Sequence, residues 1–83
     1  GGNDVIFGQN GKDVLNGDEG NDSIMGGNAK DHITGGSGID ALRGGNGPDV
    51  LNGLDGAPGD SIVGGLGQDT CLTDAGDIIE GCP

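Results

Sequence analysis

One apolar position recurs every nine residues along most of this chain: Ile6, Leu15, Ile24, Ile33, Leu42 and Leu51. Ile62 follows after eleven residues and Cys71 after nine again. In triplets such as Val14-Leu15-Asn16 and His32-Ile33-Thr34 the repeated residue is the middle one. On a pleated strand the middle residue faces opposite to its two neighbours. The pattern therefore predicts a series of three-residue strands, each sending one side chain inward, so that two strand layers meet across a thin aliphatic seam. Nothing recurs at the 3.6-residue period of a helix, so no helices are expected.

A second residue keeps the same beat. Two positions before each inward side chain stands an aspartate: Asp4, Asp13, Asp22, Asp31, Asp40, Asp49, Asp60 and Asp69. Upstream of most lies a glycine-rich tetrad, such as Gly35-Gly36-Ser37-Gly38 or Gly44-Gly45-Asn46-Gly47. Glycine suits a turn that bends through positive φ and lets backbone approach an ion closely. Asn-Gly pairs at 10–11, 16–17, 46–47 and 52–53 could mark β-hairpins, but hairpins need longer strands and a looser period.

The unit reads Gly-Gly-x-Gly-x-Asp-x-aliphatic-x, and in it the chain resembles the repeats-in-toxin (RTX) family of hemolysin-type calcium-binding nonapeptides over nearly its whole length. The resemblance implies an all-β fold, a right-handed parallel β-roll or β-solenoid. Six residues of each repeat make a turn and three a strand, so two repeats complete a coil of eighteen. About four coils are expected, stacked at about 4.8 Å to a column roughly 20 Å tall.

Composition sharpens the picture. Twenty-two glycines, one Phe and no Trp or Tyr leave too few large apolar side chains for a conventional core. With a formal net charge of −11, the calcium-free chain is expected to be disordered. Fourteen acids against three bases exclude a nucleic-acid grip and disfavour anionic membrane surfaces. No apolar run reaches the length of a membrane span, and no signal-peptide pattern opens the chain. The first glycines fall in mid-repeat, which suggests a piece of something longer. Such a chain recruits cations.

Calcium takes six to eight hard oxygens, typically at about 2.3–2.6 Å. One turn offers a single carboxylate and several carbonyls, so the ion is expected between turns stacked two repeats apart. One column would be Asp4, Asp22, Asp40 and Asp60; the other, Asp13, Asp31, Asp49 and Asp69. Three gaps in each column predict six Ca²⁺ ions. Backbone carbonyls are expected to help: Gly8, Asn10 and Gly11 in one turn, Gly17, Glu19 and Gly20 in the next, then Gly26 and Asn28. Gly35, Ser37 and Gly38 follow, then Gly44, Asn46 and Gly47. Like charges in a column repel without metal, so folding and binding should be one event.

Departures from the repeat matter as much. Ala29 replaces a turn glycine, which should weaken the site formed with Asp31; Pro48 precedes Asp49 and donates no N–H. Ala57-Pro58 reads as a two-residue insertion, and beyond Leu72 the pattern decays to an echo, Asp77 and Ile79, one residue short. Residues 1–72 are therefore read as the roll and 73–83 as a cap. Cys71 takes an inward position from which Cys82 is reachable, and a disulfide is favoured over two free thiols. That pairing would imply an oxidising compartment.

Several other chemistries fit less well. No Cys-x-x-Cys pair is present and His32 is the one histidine, which argues against zinc. An EF-hand lacks its terminal Glu, and the glycine tetrads lack the strand-to-helix setting of a phosphate loop. Asn21-Asp22-Ser23 matches a glycosylation sequon by accident of its metal turn. The outward residues Phe7, Asn16, Met25, Thr34, Arg43, Asn52, Val63 and Leu72 are too irregular to match ice. No nucleophile–base pair is apparent, so catalytic residues are expected to be none. The expectation is a non-catalytic, calcium-folded module of a secreted or cell-surface protein. The alternatives are a self-assembling filament subunit, joined head to tail, or the tail of a secreted enzyme.

Overall fold

The computed structural model describes residues 3–54 and 59–82. Nine three-residue strands follow one another: β1 (Val5–Phe7), β2 (Val14–Asn16), β3 (Ser23–Met25), β4 (His32–Thr34) and β5 (Ala41–Arg43). They continue with β6 (Val50–Asn52), β7 (Ser61–Val63), β8 (Thr70–Leu72) and β9 (Ile78–Glu80). Odd strands form one parallel sheet in the order β1-β3-β5-β7-β9, and even strands form the other, β2-β4-β6-β8. The chain crosses from sheet to sheet at every turn, so the fold is a parallel β-solenoid of about four coils, as the nine-residue period predicts.

Register follows the apolar beat. Ile6 lies opposite Ile24, Ile24 opposite Leu42, and Leu15 opposite Ile33, each eighteen residues on. The step becomes twenty between Leu42 and Ile62 and between Leu51 and Cys71. The extra length is therefore absorbed in the turn between β6 and β7, not in a strand. Ala57-Pro58, expected to be that insertion, lies outside the described residues. The segment expected as a cap contributes β9, which pairs with β7 at a step of seventeen, Ile62 opposite Ile79. The shortened last turn thus preserves pairing.

Ile24, Ile33, Leu42, Leu51 and Ile62 are fully buried, with Ile6, Leu15, Cys71 and Cys82 packed against them. Each strand with a coil on both sides buries its middle residue and leaves its outer ones exposed, as in β3 and β5, or half-buried, as in β6 and β7. The body measures 27 × 25 × 12 Å, and its thinnest dimension suits two sheets about 10 Å apart. A Cys71–Cys82 disulfide ties the inward position of β8 to the residues just after β9. Sheet hydrogen bonding runs on into the turns: Gly8 donates to the Met25 carbonyl at 2.9 Å, and Ser23 to the Asp4 carbonyl at 2.8 Å. Turns two repeats apart are likewise tied by backbone hydrogen bonds, as where Asn28 donates to the Gln9 carbonyl at 3.0 Å.

Candidate metal centre

Because every turn sits on the one eighteen residues earlier, the periodic aspartates fall into two columns. The backbone N–H of Asp4 donates to Asp22 Oδ1 at 2.8 Å, that of Asp22 to Asp40 Oδ1 at 2.9 Å, and that of Asp40 to Asp60 Oδ1 at 2.7 Å. In the second column Asp13 donates to Asp31 Oδ1 at 3.0 Å, Asp31 to Asp49 Oδ1 at 2.8 Å, and Asp49 to Asp69 Oδ1 at 2.8 Å. Each carboxylate thus reaches toward the preceding turn. The eight residues are brought together in the two columns that the spacing predicts.

Burial makes this arrangement costly. Asp22, Asp31, Asp40, Asp49, Asp60 and Asp69 are between 0% and 6% exposed. Asp13 is half-buried, whereas Asp4 is exposed in the outermost described turn. The second oxygen, Oδ2, of Asp13, Asp22, Asp31, Asp49 and Asp69 is buried with no hydrogen-bond partner among the described residues. A buried ionised oxygen without a partner carries a heavy desolvation penalty. Burial pushes the Asp49 carboxyl up to about 6, with the charges of Asp69 and Asp31 adding to the effect and the Asp31 N–H opposing it. Asp31 is raised chiefly by burial, helped by the charge of Asp13 and opposed by its N–H. Lys12, Lys30 and Arg43 are exposed, so the protein's own bases do not enter the columns.

The orphaned oxygens face a space kept open by glycine. A methyl group built on Gly17 would lie 2.5 Å from Asp22 Oδ2 and 2.8 Å from the Gly35 carbonyl oxygen. The same three-part corner recurs at Gly26, with Asp31 Oδ2 at 2.5 Å and the Gly44 carbonyl at 2.8 Å. At Gly8 it is Asp13 Oδ2 at 2.6 Å with the Gly26 carbonyl at 2.8 Å, and at Gly44, Asp49 Oδ2 at 2.5 Å with the Gly64 carbonyl at 2.7 Å. A carboxylate oxygen and the next turn's carbonyl therefore converge at each of these four glycines.

Of the expected carbonyl donors, Gly26, Gly35 and Gly44 are thus placed against a carboxylate. Gly8 and Gly17 supply the opening itself. Gly11, Gly20, Gly38 and Gly47 occupy the fourth turn position with φ of 92°, 106°, 103° and 95°. Asn10, Glu19, Asn28, Ser37 and Asn46 are exposed at the turn tips. Three of these build a ladder instead, since Asn28 Nδ2 donates to Asn10 Oδ1 at 2.9 Å and Asn46 Nδ2 to Asn28 Oδ1 at 3.0 Å. Asn21, in the sequon, accepts the Ile39 N–H on its Oδ1 at 2.8 Å.

Two features lie beyond the sequence reading. The Gly64 carbonyl joins the corners, signalled by the tetrad Gly64-Gly65-Leu66-Gly67. Asp77 adds a further rung to the first column, and both its oxygens are satisfied: Oδ1 by the Asp60 N–H at 3.0 Å, Oδ2 by the Asp74 N–H at 2.7 Å. The signal for it is the Asp-x-aliphatic spacing that Asp77 and Ile79 share with the repeats.

The donor chemistry fits calcium. No three acidic, histidine or cysteine side chains gather into a metal cluster among the described residues. Each turn instead offers one carboxylate and backbone carbonyls, all hard oxygens. Calcium accepts such mixed sets in flexible geometry, whereas magnesium demands a near-ideal octahedron. Softer metals want nitrogen or sulfur. His32 is exposed on the outer face of β4, and both cysteines are bonded to each other.

Comparison with known proteins agrees with this chemistry. The RTX calcium-binding nonapeptide repeat matches in four copies, over residues 1–33, 34–57 and 59–77. No curated protein and no solved structure matches the chain.

Proposed function

Because the chain belongs to the RTX calcium-binding nonapeptide repeat family, we propose that it is a calcium-triggered folding module of a secreted or cell-surface protein. The observation that carries this reading is the buried Oδ2, without a partner, set against the next turn's carbonyl. Asp4, Asp13, Asp22, Asp31, Asp40, Asp49, Asp60 and Asp69 would hold the ions, assisted by carbonyls such as those of Gly26, Gly35 and Gly44. The three gaps between these aspartates in each of the two columns make six ions.

Bound calcium supplies positive charge at the one place where the fold concentrates negative charge away from water. The chain's own residues do the rest. The strands fix the turns in register, the glycines leave the space, and each Asp Oδ1 ties its turn to the one before. Binding to the folded state alone stabilises it at every site, so the metal selects the rolled chain from the disordered one. Extracellular calcium is far above cytosolic calcium, which places folding outside the cell. The disulfide supports the same compartment.

Far-UV circular dichroism across a calcium titration tests this, with magnesium as control. The expected result is a coil-to-β transition with calcium alone, reversed by chelator. A chain fully β-structured in chelator would overturn it.

A further inference from the structure

The turns are built to one plan but not with equal ease. Each complete nine-residue turn places its second and fourth residues in the left-handed region. In the turns before Asp40, Asp49 and Asp69 both are glycine: Gly36 and Gly38, Gly45 and Gly47, Gly65 and Gly67, with φ from 84° to 105°. The three turns nearest the start each force a side chain into that conformation: Gln9 at φ 70°, Asp18 at 64° and Ala29 at 74°. These are the non-glycine residues with positive φ among the described residues. A Cβ is penalised there by its own backbone, most plainly for Ala29, which has no polar group to compensate.

The consequence is ordered along the column of Asp13, Asp31, Asp49 and Asp69. The gap between Asp13 and Asp31 is bounded by two strained turns, those of Gln9 and Ala29. The gap between Asp31 and Asp49 has one, and the gap between Asp49 and Asp69 has none. We infer that calcium fills this column in a graded order, the Asp49–Asp69 gap first and the Asp13–Asp31 gap last. The inference rests on calcium occupying the gaps. An ion binds only the correctly folded turn, so whatever makes that turn rare weakens apparent affinity by the same factor. One left-handed alanine in place of glycine amounts to about fivefold. The Asn10–Asn28–Asn46 ladder does not reverse the order, because its exposed amide bonds compete with water and span the first two gaps alike.

Each gap has its own reporter amide. His32 donates to the Asp13 carbonyl at 2.8 Å, Val50 to that of Asp31 at 2.9 Å, and Thr70 to that of Asp49 at 2.8 Å. Hydrogen exchange of these three amides should be followed by NMR across a calcium titration of the disulfide-bonded chain. The midpoint of protection should be lowest for Thr70, higher for Val50 and at least about fivefold higher for His32 than for Thr70. Simple fraying of the chain end would also delay His32, so Ala29→Gly separates the causes. It should lower the His32 and Val50 midpoints several-fold and leave that of Thr70 in place. Equal midpoints, a reversed order or an inert Ala29→Gly overturns the gradient while leaving calcium binding intact. Protection that ignores calcium at all three amides overturns the calcium reading itself, and the gradient with it.

Discussion

The Asp31 N–H donates to Asp49 Oδ1 at 2.8 Å, while Asp49 Oδ2 is left buried and without a partner. One oxygen of this carboxylate thus belongs to the fold and the other to the ion. Asp49→Asn separates the two roles, since the amide keeps an acceptor but loses the charge. In chelator the variant should hold more β-structure than the parent, because a buried charge is gone. In calcium it should be weaker, by about 3 kcal/mol for each site lost at a concentration 100 times its Kd. Circular dichroism of the two proteins, with and without calcium, reads this reversal of sign.

The raised Asp49 carboxyl makes the metal-free roll an acid-loving one. Its folded value of about 6 exceeds the ordinary 3.8, so between these values the folded state holds a proton that the unfolded state has released. Its contribution to stability in chelator is full below about pH 4 and lost as pH rises through about 6. With calcium the trend turns over, because the ion displaces that proton. The calcium midpoint should therefore be higher at pH 5 than at pH 7, and a pH-independent midpoint would sink the assignment.

Two glycine variants distinguish space from conformation. Gly17→Ala places a methyl 2.5 Å from Asp22 Oδ2 and should remove an ion from the total counted by titration calorimetry. Gly11→Ala meets nothing within 4 Å but keeps φ at 92°. It should retain the full ion count and lose only about 1 kcal/mol, seen as a modest rise in midpoint. Equal effects would mean that the glycine corner is not where the metal lies.

Reduction should loosen the last coil. The disulfide spans eleven residues, and closing a loop of that order is worth roughly 3 kcal/mol. Thermal unfolding in calcium should fall on the order of 10 °C with a dithiol reductant and recover on reoxidation. An unchanged transition would show that β8 and β9 hold without the bond.

Much of this was legible in the residues themselves. The nine-residue recurrence of Ile and Leu predicts each strand and its inward side chain, because one inward position per strand leaves no other register. The column of aspartates follows from the same period. What the period does not reveal is how each carboxylate is used. That Oδ1 caps the N–H of the turn below depends on how closely two turns approach, a distance no spacing encodes. Asp77 looked like decay because its turn is a residue short, yet Ile79 still meets Ile62 and a backbone N–H from Asp74 takes up the spare oxygen. Ala29 was visible as a departure. Gln9 and Asp18, at the unit's second glycine, are departures of the same kind, and it is their φ of 70° and 64° that shows what they cost.

The interior is a single file: Ile24, Leu42 and Ile62 from one sheet, Ile33 and Leu51 from the other. Every coil touches only the coil before and the coil after, so no residue must fit a distant one. A coil inserted or deleted meets the same neighbours as the coil it displaces. Length in such a protein is a free variable, open to duplication and loss without redesign of any other part.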